Sequence, residues 1–113
     1  MRKDDAIRIQ HIIMEAEEAC AFAENMSLAD FTKDRRTVKA IVRSVEIIGE
    51  AASKISDEIQ NTYPEIPWKQ IVGMRNRLIH VYFDIDYRMV WQTVKENLPP
   101  LIDKLKRIAA GTG

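Results

Sequence analysis

The sequence predicts an all-α fold, an up-and-down bundle of four main helices followed by a kinked C-terminal helix. Apolar residues recur at three- and four-residue spacing over most of the chain, as they do along the buried face of a helix. No alternating strand pattern of useful length appears, and short connectors separate the periodic segments. The 113 residues are enough for one hydrophobic core and too few for two, so residues 1–113 are expected to form one domain.

The first two helices show the clearest pattern. The first is predicted over residues 4–25, where Asp4 and Asp5 put negative charge at the end that the helix dipole favours. The second is predicted from residue 32 or 33 to Ile55, with Thr32 as its N-cap. The apolar faces comprise Ile9, Ile12, Ile13, Ala16, Ala19, Cys20 and Ala23 in the first helix, and Val38, Ile41, Val42, Val45, Ile48, Ala52 and Ile55 in the second.

Two further features belong to the second helix and its end. Gly49 lies inside the helix, where glycine costs about 1 kcal/mol relative to alanine. A glycine at this position therefore predicts a close crossing with another helix. Ser56 and Asp57 can cap a short extra turn over residues 58–63, and Pro64 then ends the helical pattern.

The C-terminal half contains two more predicted helices. The third covers residues 67–82, because Pro67 suits a first helical turn and the apolar spacing continues through the segment. After a connector, residues 83–86, Asp86 can cap the fourth helix. The pair Pro99-Pro100 must kink or restart this helix, and the apolar stripe continues beyond the two prolines.

Composition excludes several classes of function. Seventeen basic and seventeen acidic residues cancel, so binding to nucleic acid requires a local patch rather than bulk charge. The single Cys20 excludes an intrachain disulfide and fits a reducing cytoplasm. No apolar run approaches the roughly 18–20 residues that span a bilayer, and the N-terminus lacks the apolar segment of a signal peptide. We therefore expect a cytoplasmic protein with no membrane partner.

Neither a metal ion nor another cofactor is expected. The two histidines, His11 and His80, fall in different predicted helices, and the paired Glu-x-x-His pattern of di-iron bundles is missing from the sequence. Glu46 and Glu50 are four residues apart and could share a cation. A solvated or arginine-paired edge of the second helix explains these two carboxylates better.

Basic residues crowd the start of the second helix. Five of them lie between positions 33 and 43, and Arg36, Lys39 and Arg43 fall on roughly one side. Such a run is usually a solvated face, and it lacks the aromatic residues on which nucleic-acid bases stack. These three residues and Arg77 are nonetheless the candidates for contacts with the phosphates of a nucleic acid.

Polar residues that could take part in catalysis lie between Gly73 and Tyr82, in a segment otherwise rich in Ile, Val, Leu and Met. The imidazole of His80, with an unperturbed pKa near 6.5, can take and give a proton at neutral pH. Arg75 supplies a permanent fork of donors for phosphate oxygens. Metal-free RNA cleavage needs these two roles: one group removes the proton of the ribose 2′-hydroxyl, and another stabilises the pentacoordinate phosphorane.

Helix geometry complicates this interpretation. Positions five apart on an ideal helix differ by about 140°, so Arg75 and His80 do not share a face, whereas Asn76 and His80 do. Arg75 could reach around the helix, the helix could be distorted near His80, or a second subunit could complete the site. The competing interpretation is an arginine and a histidine with ordinary hydrogen bonds at a bundle edge, and spacing alone favours it.

The order of these residues resembles a known motif. Arg75, His80 and Tyr82 follow the Arg-x4-His-x-Tyr pattern of HepT-like toxins in the HEPN superfamily, and Asn76 resembles the polar residue that commonly follows the arginine there. The similarity extends over nearly the whole chain. Besides the motif it includes residues 43–51 in the second helix and, in the C-terminal part, residues 87–91 and residues 98–99.

The resemblance implies a helical bundle that acts as a metal-independent endoribonuclease, usually a homodimer or a higher even oligomer. Arg75 and His80 would be its catalytic residues, and Asn76 would support them. The protein would be the toxin of a pair whose antitoxin is a nucleotidyltransferase of the MntA type. Neutralisation would consist of the transfer of AMP from ATP to Tyr82.

Two other functions stay open. Some members of the superfamily are not nucleases, and helical domains of this kind accompany nucleotidyltransferases as nucleotide- or substrate-binding partners. The chain could also be a helical oligomerisation module, with the exposed stripe of the first helix as its interface. The zero net charge favours these two functions, whereas the intact pair of Arg75 and His80 favours the ribonuclease.

Overall fold

The computed structural model of the protein describes residues 1–79 and 84–111, and the predicted all-α class is confirmed there. Within these residues the only β pairing is an isolated antiparallel bridge between Ile79 and Ile85. No helix among them is long and apolar enough to cross a membrane. The helices are α1 (Lys3–Phe22), α2 (Leu28–Lys33), α3 (Arg35–Ser53), α4 (Asp57–Thr62), α5 (Trp68–Val72), α6 (Met74–Leu78), α7 (Tyr87–Gln92) and α8 (Leu98–Gly111), and a π-helical segment (Thr93–Asn97) joins α7 to α8.

The core lies where α1 packs against both α3 and α8. Each of these helices buries the face that its apolar period predicts, and each fully buried large aliphatic side chain contributes roughly 1.5–3 kcal/mol. The buried side chains of the three helices include Ile9, Ile12, Ile13 and Ala16 in α1, Val38, Ile41, Val45 and Ile48 in α3, and Leu98, Leu101 and Leu105 in α8.

The predicted start of the second helix is wrong. Ser27 and Asp30 form a capping box that begins the short helix α2: the Ser27 hydroxyl accepts the Asp30 amide at 3.1 Å, and the Asp30 carboxylate accepts the Ser27 amide at 3.5 Å. Thr32 therefore lies inside α2 and caps nothing. The N-cap of α3 is Asp34, whose carboxylate accepts the Thr37 amide at 3.0 Å.

A buried carboxylate ties the first turn of α1 to the start of α4. Asp5 is 2% exposed, and its two oxygens accept the Ser56 amide at 3.0 Å and the Ser56 hydroxyl at 2.7 Å. The Ser56 hydroxyl also accepts the Ile59 amide at 3.3 Å, so Ser56 caps α4 as predicted. Burial raises the pKa of Asp5, but the Ser56 hydrogen bonds and the charges of Arg2 and Arg8 outweigh burial and hold this pKa below its ordinary value.

The close crossing predicted at Gly49 is present between α3 and α5. A Cβ atom at this position would lie 3.3 Å from the carbonyl oxygens of both Ile71 and Val72. The backbone of α3 thus lies close to that of α5, and a side chain at position 49 would require these carbonyls to move back by a few tenths of an ångström. Because α6 begins two residues after Val72, this contact fixes where the arginine of the motif emerges beside α3.

The third predicted helix is shorter than expected and divided in two. Gly73 separates α5 from α6, and α6 ends at Leu78 because Ile79 adopts an extended backbone with φ −119° and ψ 116°. Backbone pairing between residues 78–79 and residues 85–86 takes the place of a further helical turn. Ile79 forms a β-bridge with Ile85, and the Asp86 amide donates to the Leu78 carbonyl at 2.8 Å. The ideal-helix angle between Arg75 and His80 therefore does not apply to this protein.

The predicted interruption near the two C-terminal prolines takes the form of the π-helical segment. Proline lacks the amide donor, and its ring crowds the carbonyl four residues earlier. The wider π turn precedes Pro99 and Pro100 directly, and its last hydrogen bond runs from the Leu98 amide to the Thr93 carbonyl. At the other end, Asp86 caps α7 as predicted by accepting the Met89 amide at 3.1 Å.

Candidate functional site

A groove of about 470 Å³ lies between the first half of α3 and the segment that follows α6. The α3 residues in it are spaced by four, three and four positions, which places them on one face of the helix. The described residues that line it carry three cations, one carboxylate and three aliphatic side chains. They are Arg35, Lys39, Val42, Glu46, Arg75, Ile79 and Ile85.

Arg75 enters this groove from α6 and meets a carboxylate of α3. Its Nε lies 3.4 Å from Oε2 of Glu46, and the two side chains are 44% and 35% exposed. An ion pair this exposed contributes about 0–1 kcal/mol to stability, so its main effect is on the direction of the guanidinium. The contact engages Nε and does not itself occupy the two terminal nitrogens, which are the atoms best placed to grip a phosphate.

The sequence-based interpretation of the two helix-edge carboxylates holds for both. Glu46 is paired with an arginine, as described above. Glu50 lies one turn further on and makes an exposed pair with Lys54, 3.5 Å from the Lys54 Nζ to the carboxylate. Within the described residues, no group of three or more His, Cys, Asp or Glu side chains comes together in a way that could hold a metal ion.

The predicted phosphate contacts divide into two sets. Lys39 lines the groove, whereas Arg36 and Arg43 are exposed on α3 outside it. Arg77 is exposed on α6, and its Nη2 donates to the Gln70 carbonyl at 3.3 Å, again outside the groove. Asn76, the predicted supporting residue, is exposed on the same short helix.

Arg35 is the groove residue that the sequence analysis missed. It belongs to the basic run at the start of the second helix, but the predicted contacts followed the neighbouring face of that helix. Its spacing to Lys39 and Glu46 could have identified it, because this spacing places the three charged side chains on one face of the helix. Ile85 could not be found this way, because it reaches the groove through the backbone bridge to Ile79.

His80 and Tyr82 lie outside the described residues, so their predicted roles stay predictions. The described positions on either side of them are informative. Ile79 directly precedes His80, Ile85 follows Tyr82 by three positions, and both isoleucines line the groove. The segment that carries the predicted base and the predicted modification site therefore leaves and rejoins the described structure at the groove.

A second groove, of about 520 Å³, has the opposite character. It lies between α1 and the π-helical segment, and the carboxylates of Glu17, Glu24 and Asp103 line it. Its one lysine, Lys95, is already engaged: its Nζ donates to the Ala23 carbonyl at 3.0 Å and lies 4.8 Å from the centre of a tryptophan ring. Carboxylates repel phosphate, so this larger groove is a poor site for a polyanion.

The described residues form a small helical protein with a groove that brings together cations and aliphatic side chains. The chain matches the family described as "HepT-like: Ribonuclease HepT-like" over residues 9–108. This match covers most of the sequence, including all the described groove residues. The chain therefore belongs to the HepT-like ribonuclease family, as the motif resemblance indicates.

Similar proteins carry ribonuclease names. "Probable ribonuclease HepT" of Thermococcus cleftensis is 41% identical over 87 residues, which cover 77% of this chain and 79% of the relative. "Putative RNase TTE0752" of Caldanaerobacter subterraneus is 40% identical over 100 residues, which cover 88% of this chain and 89% of the relative. No solved structure matches the chain significantly.

Proposed function

We propose that the protein is the toxin of a toxin–antitoxin pair and cleaves RNA in the groove between α3 and α6 without a metal ion. Membership of the HepT-like ribonuclease family supports this proposal, as do the RNase names of the relatives. The observation that carries it furthest is the position of Arg75, which belongs to the motif and lines a groove with two further cations. The chain would act as one domain, residues 1–113, in the cytoplasm.

The end of α6 removes the geometric objection to a joint site. The 140° separation of Arg75 and His80 assumed a continuous helix, and the helix stops at Leu78. His80 follows Ile79 directly, and consecutive Cα atoms are about 3.8 Å apart. Because Ile79 lines the groove with Arg75, the backbone of His80 would begin within one residue of the groove.

Binding would rest on the cations of α3. Arg35 and Lys39 lie one helical turn apart on the groove wall, where they would attract the phosphates of an RNA strand. Arg36, Arg43 and Arg77 are exposed outside the groove and would contact phosphates that flank the cleaved bond. The aliphatic side chains of the groove would cover part of a ribose or base.

The proposed reaction is attack of the ribose 2′ oxygen on the adjacent phosphorus. His80 would take the 2′-hydroxyl proton as general base, and Arg75 would stabilise the charge on the phosphorane oxygens. The bond from phosphorus to the 5′ oxygen then breaks. One product ends in a 2′,3′-cyclic phosphate, and the other has a 5′-hydroxyl after it takes up a proton. Asn76 would orient His80 or a phosphate.

Neutralisation would act on the same groove. A nucleotidyltransferase antitoxin of the MntA type would transfer AMP from ATP to Tyr82: the phenol oxygen loses its proton and bonds to the α-phosphorus of ATP, and pyrophosphate leaves. Each AMP adds a negative phosphodiester and a bulky base near the segment that borders the groove. The phosphate would compete for Arg75 and the base would fill space, so RNA would be excluded by both charge and volume.

A homodimer, or a higher even oligomer, would place two copies of the motif along one cleft. A single groove of about 470 Å³ accommodates only a short piece of a strand. Two grooves side by side would add the cations of both copies and lengthen the bound stretch of RNA. The family resemblance supports this arrangement.

The decisive test is cleavage of a fluorescent RNA by the purified protein in excess EDTA. We expect products with a 2′,3′-cyclic phosphate, a loss of about 10²–10⁴ in rate for His80→Ala, and a loss of about 10²–10³ for Arg75→Ala. Arg107→Ala removes an exposed arginine of α8, far along the chain from the groove, and should behave as wild type. Cleavage that survives Arg75→Ala and His80→Ala, or that EDTA abolishes, would contradict the mechanism.

The same assay distinguishes a ribonuclease from a protein that only binds nucleotides or RNA as the partner of a nucleotidyltransferase. A protein that binds nucleotides or RNA but leaves RNA intact at all concentrations would be the binding module. Modification is tested separately by intact mass after incubation with the antitoxin and ATP. An AMP-sized increment should appear on wild type and be lost in Tyr82→Phe, which should still cleave RNA.

A further inference from the structure

The charges of the groove at Arg75 are ordered along α3. Counted back from Glu46, Lys39 lies seven residues earlier and Arg35 eleven residues earlier on the same wall. At about 1.5 Å per residue, these two cations lie about 10.5 Å and about 16.5 Å from the level of Glu46 along the helix axis. The groove therefore has a cationic end, formed by Arg35 and Lys39, and an end where Arg75 meets its carboxylate.

The crossing of α3 and α5 limits the groove beyond Glu46. A Cβ atom at Gly49 would lie 3.3 Å from two carbonyl oxygens of α5, so α5 lies directly against α3 three residues after Glu46. No described residue of α3 after Glu46 lines the groove, and the next carboxylate, Glu50, pairs with Lys54 outside it. A strand bound at Arg75 can therefore follow α3 toward the cationic end, whereas α5 obstructs the opposite direction.

The carboxylates nearest to the cationic end belong to helix caps or lie outside the groove. Asp34 and Asp86 each accept the amide three residues later, at 3.0 Å and 3.1 Å, as the N-caps of α3 and α7. Asp84 is exposed and, like these two caps, does not line the groove. The three carboxylates weaken the local positive potential, but the wall that a phosphate would touch carries Arg35 and Lys39.

The remaining cations near the groove do not provide an equivalent wall on the side of α5. Arg77 lies outside the groove and donates to the Gln70 carbonyl at 3.3 Å. Arg36 and Arg43 are exposed on α3, in the same half of the helix as the cationic end. These side chains add general attraction for RNA, whereas a subsite inside the groove requires cations on its wall.

We propose that Arg35 and Lys39 form a phosphate subsite on one side of the scissile bond, so that the protein selects RNA strands by the length of that side. This proposal rests on the proposed function, which places the scissile phosphate at Arg75. A stacked strand advances about 3.4 Å per nucleotide, so Lys39 would meet a phosphate about three nucleotides away and Arg35 one about five away. A more extended strand would reach both cations with fewer nucleotides.

The consequence is a preference for length and direction. A strand that is longer on the side of the cationic end gains two phosphate contacts, and a strand that is longer on the other side meets α5 and gains none inside the groove. A dinucleotide would reach Arg75 but neither cation. The described groove residues are aliphatic or charged rather than aromatic, so they offer no stacking platform for a base.

Length dependence tests the subsite at one fixed bond. The substrates contain a single ribonucleotide and are otherwise 2′-O-methylated, because only the ribonucleotide then has the attacking 2′-hydroxyl. The 5′ flank and the 3′ flank are lengthened separately from one to six nucleotides. We expect kcat/KM to rise with one flank up to about five nucleotides and to change by less than about twofold with the other.

Alanine variants assign the effect to the two cations. Arg35→Ala combined with Lys39→Ala should slow cleavage of the substrate with the long favoured flank far more than cleavage of the shortest substrate. Each phosphate contact of a single strand contributes about 0.7 to the slope of log affinity against log salt. Affinity for the long substrate, measured with a deoxyribonucleotide in place of the ribonucleotide, should therefore lose about 1.4 of slope in the double variant. Arg107→Ala, on the exposed side of α8, should keep the wild-type slope.

Cross-linking tests the order of the two cations along the strand. In a Cys20→Ala background, Lys39→Cys or Arg35→Cys gives the chain a single thiol on the groove wall. The deoxyribonucleotide strand carries a bromoacetyl group on one phosphate at a time. The phosphate that links best to Lys39→Cys should lie nearer the scissile bond than the one that links best to Arg35→Cys. Arg107→Cys in the same background should give only background linkage.

The outcomes separate this proposal from the ribonuclease itself. Equal gains from both flanks, a length effect that the double variant retains, or cross-links in the reverse order would overturn the subsite while leaving the ribonuclease intact. Wild-type protein that cleaves neither these substrates nor an all-ribonucleotide strand would exclude both. A gain confined to one flank, lost in the double variant and kept in Arg107→Ala, would establish the subsite.

Discussion

The carboxylates of Asp5 and Glu46 each contact a group on another segment of the chain, and their surroundings separate their roles. Asp5 is 2% exposed and holds Ser56 through two hydrogen bonds, so it ties α1 to α4 in one arrangement. Glu46 is 35% exposed and holds Arg75 through one contact of 3.4 Å. Burial makes the first contact costly to break, whereas solvent near the second would let Arg75 exchange its carboxylate for a phosphate in the proposed reaction. The contact of Asp5 is thus shielded from solvent, whereas the contact of Glu46 at the candidate site is open to it.

Removing the buried carboxylate should have the largest effect on stability. Asp5→Ala leaves the Ser56 amide and hydroxyl without their charged acceptor, and hydrogen bonds to a charged group contribute about 1.5–3 kcal/mol each. We expect urea unfolding to show a loss of about 3 kcal/mol. Asp4→Ala removes the exposed neighbouring carboxylate and should stay within about 0.5 kcal/mol of wild type. Equal losses in the two variants would show that the Ser56 contact is unimportant.

The position of the Glu46–Arg75 pair depends on the close crossing at Gly49. Gly49→Val places branched carbon against two carbonyl oxygens that already lie 3.3 Å from the first added atom, and overpacking costs about 1–3 kcal/mol. We expect that loss in urea unfolding, with slower RNA cleavage because α6 shifts. Gly111→Val, where nothing lies within 4 Å of an added carbon, is the control. Unchanged stability in Gly49→Val would mean that α5 can move away from α3 at little cost.

The dependence of stability on pH reports on the buried carboxylate of Asp5. The pKa of Asp5 is held below its ordinary value in the folded protein, so its contribution is present above the unfolded pKa of about 3.9 and is lost as the pH falls through the folded pKa. Acid should therefore destabilise wild type below about pH 4. Asp5→Asn should flatten this acid limb in thermal unfolding measured from pH 6 to pH 2. An acid limb as steep in Asp5→Asn as in wild type would contradict this assignment.

Glu46→Gln should have the smallest effect on stability and a selective effect on activity. The pair with Arg75 is half exposed, so unfolding should change by no more than about 0.5 kcal/mol. If the carboxylate aims the guanidinium, kcat should fall by about fivefold or less while RNA affinity stays equal or improves, because a negative charge has left the groove. Glu50→Gln breaks the neighbouring pair with Lys54 and should change neither quantity. A weaker affinity with unchanged kcat in Glu46→Gln would exclude the aiming role.

Local chemistry explains why most of the fold could be predicted. The apolar period of α1 and α3, the caps at Ser56 and Asp86, and the crossing at Gly49 all follow from residues close in sequence. The errors fall where distant backbone decides the outcome. Thr32 is wrong as the N-cap because the apolar period does not reveal the break before Arg35. The predicted third helix is too long because its apolar spacing continues past the bridge that ends α6.

The candidate site was less predictable than the fold for the same reason. Arg75 could be singled out from its motif, and Lys39 from the basic run. The partner of Arg75 is a residue 29 positions earlier, and a helix crossing brings the two together. Ile85 joins the groove through a bridge that no periodicity reveals. The roles of His80 and Tyr82 stay predictions.

The π-helical segment has a consequence for how the chain tolerates changes in length. A π turn holds one residue more between hydrogen-bonded groups than an α turn does. Here that residue is absorbed between Val90 and Leu98, both buried, and α8 still turns Leu101 and Leu105 toward the core. Deleting one exposed residue of the segment, such as Glu96, would leave an ordinary α turn with its apolar face still in phase. We therefore expect homologous chains to differ by single residues at this point more readily than elsewhere along the helix.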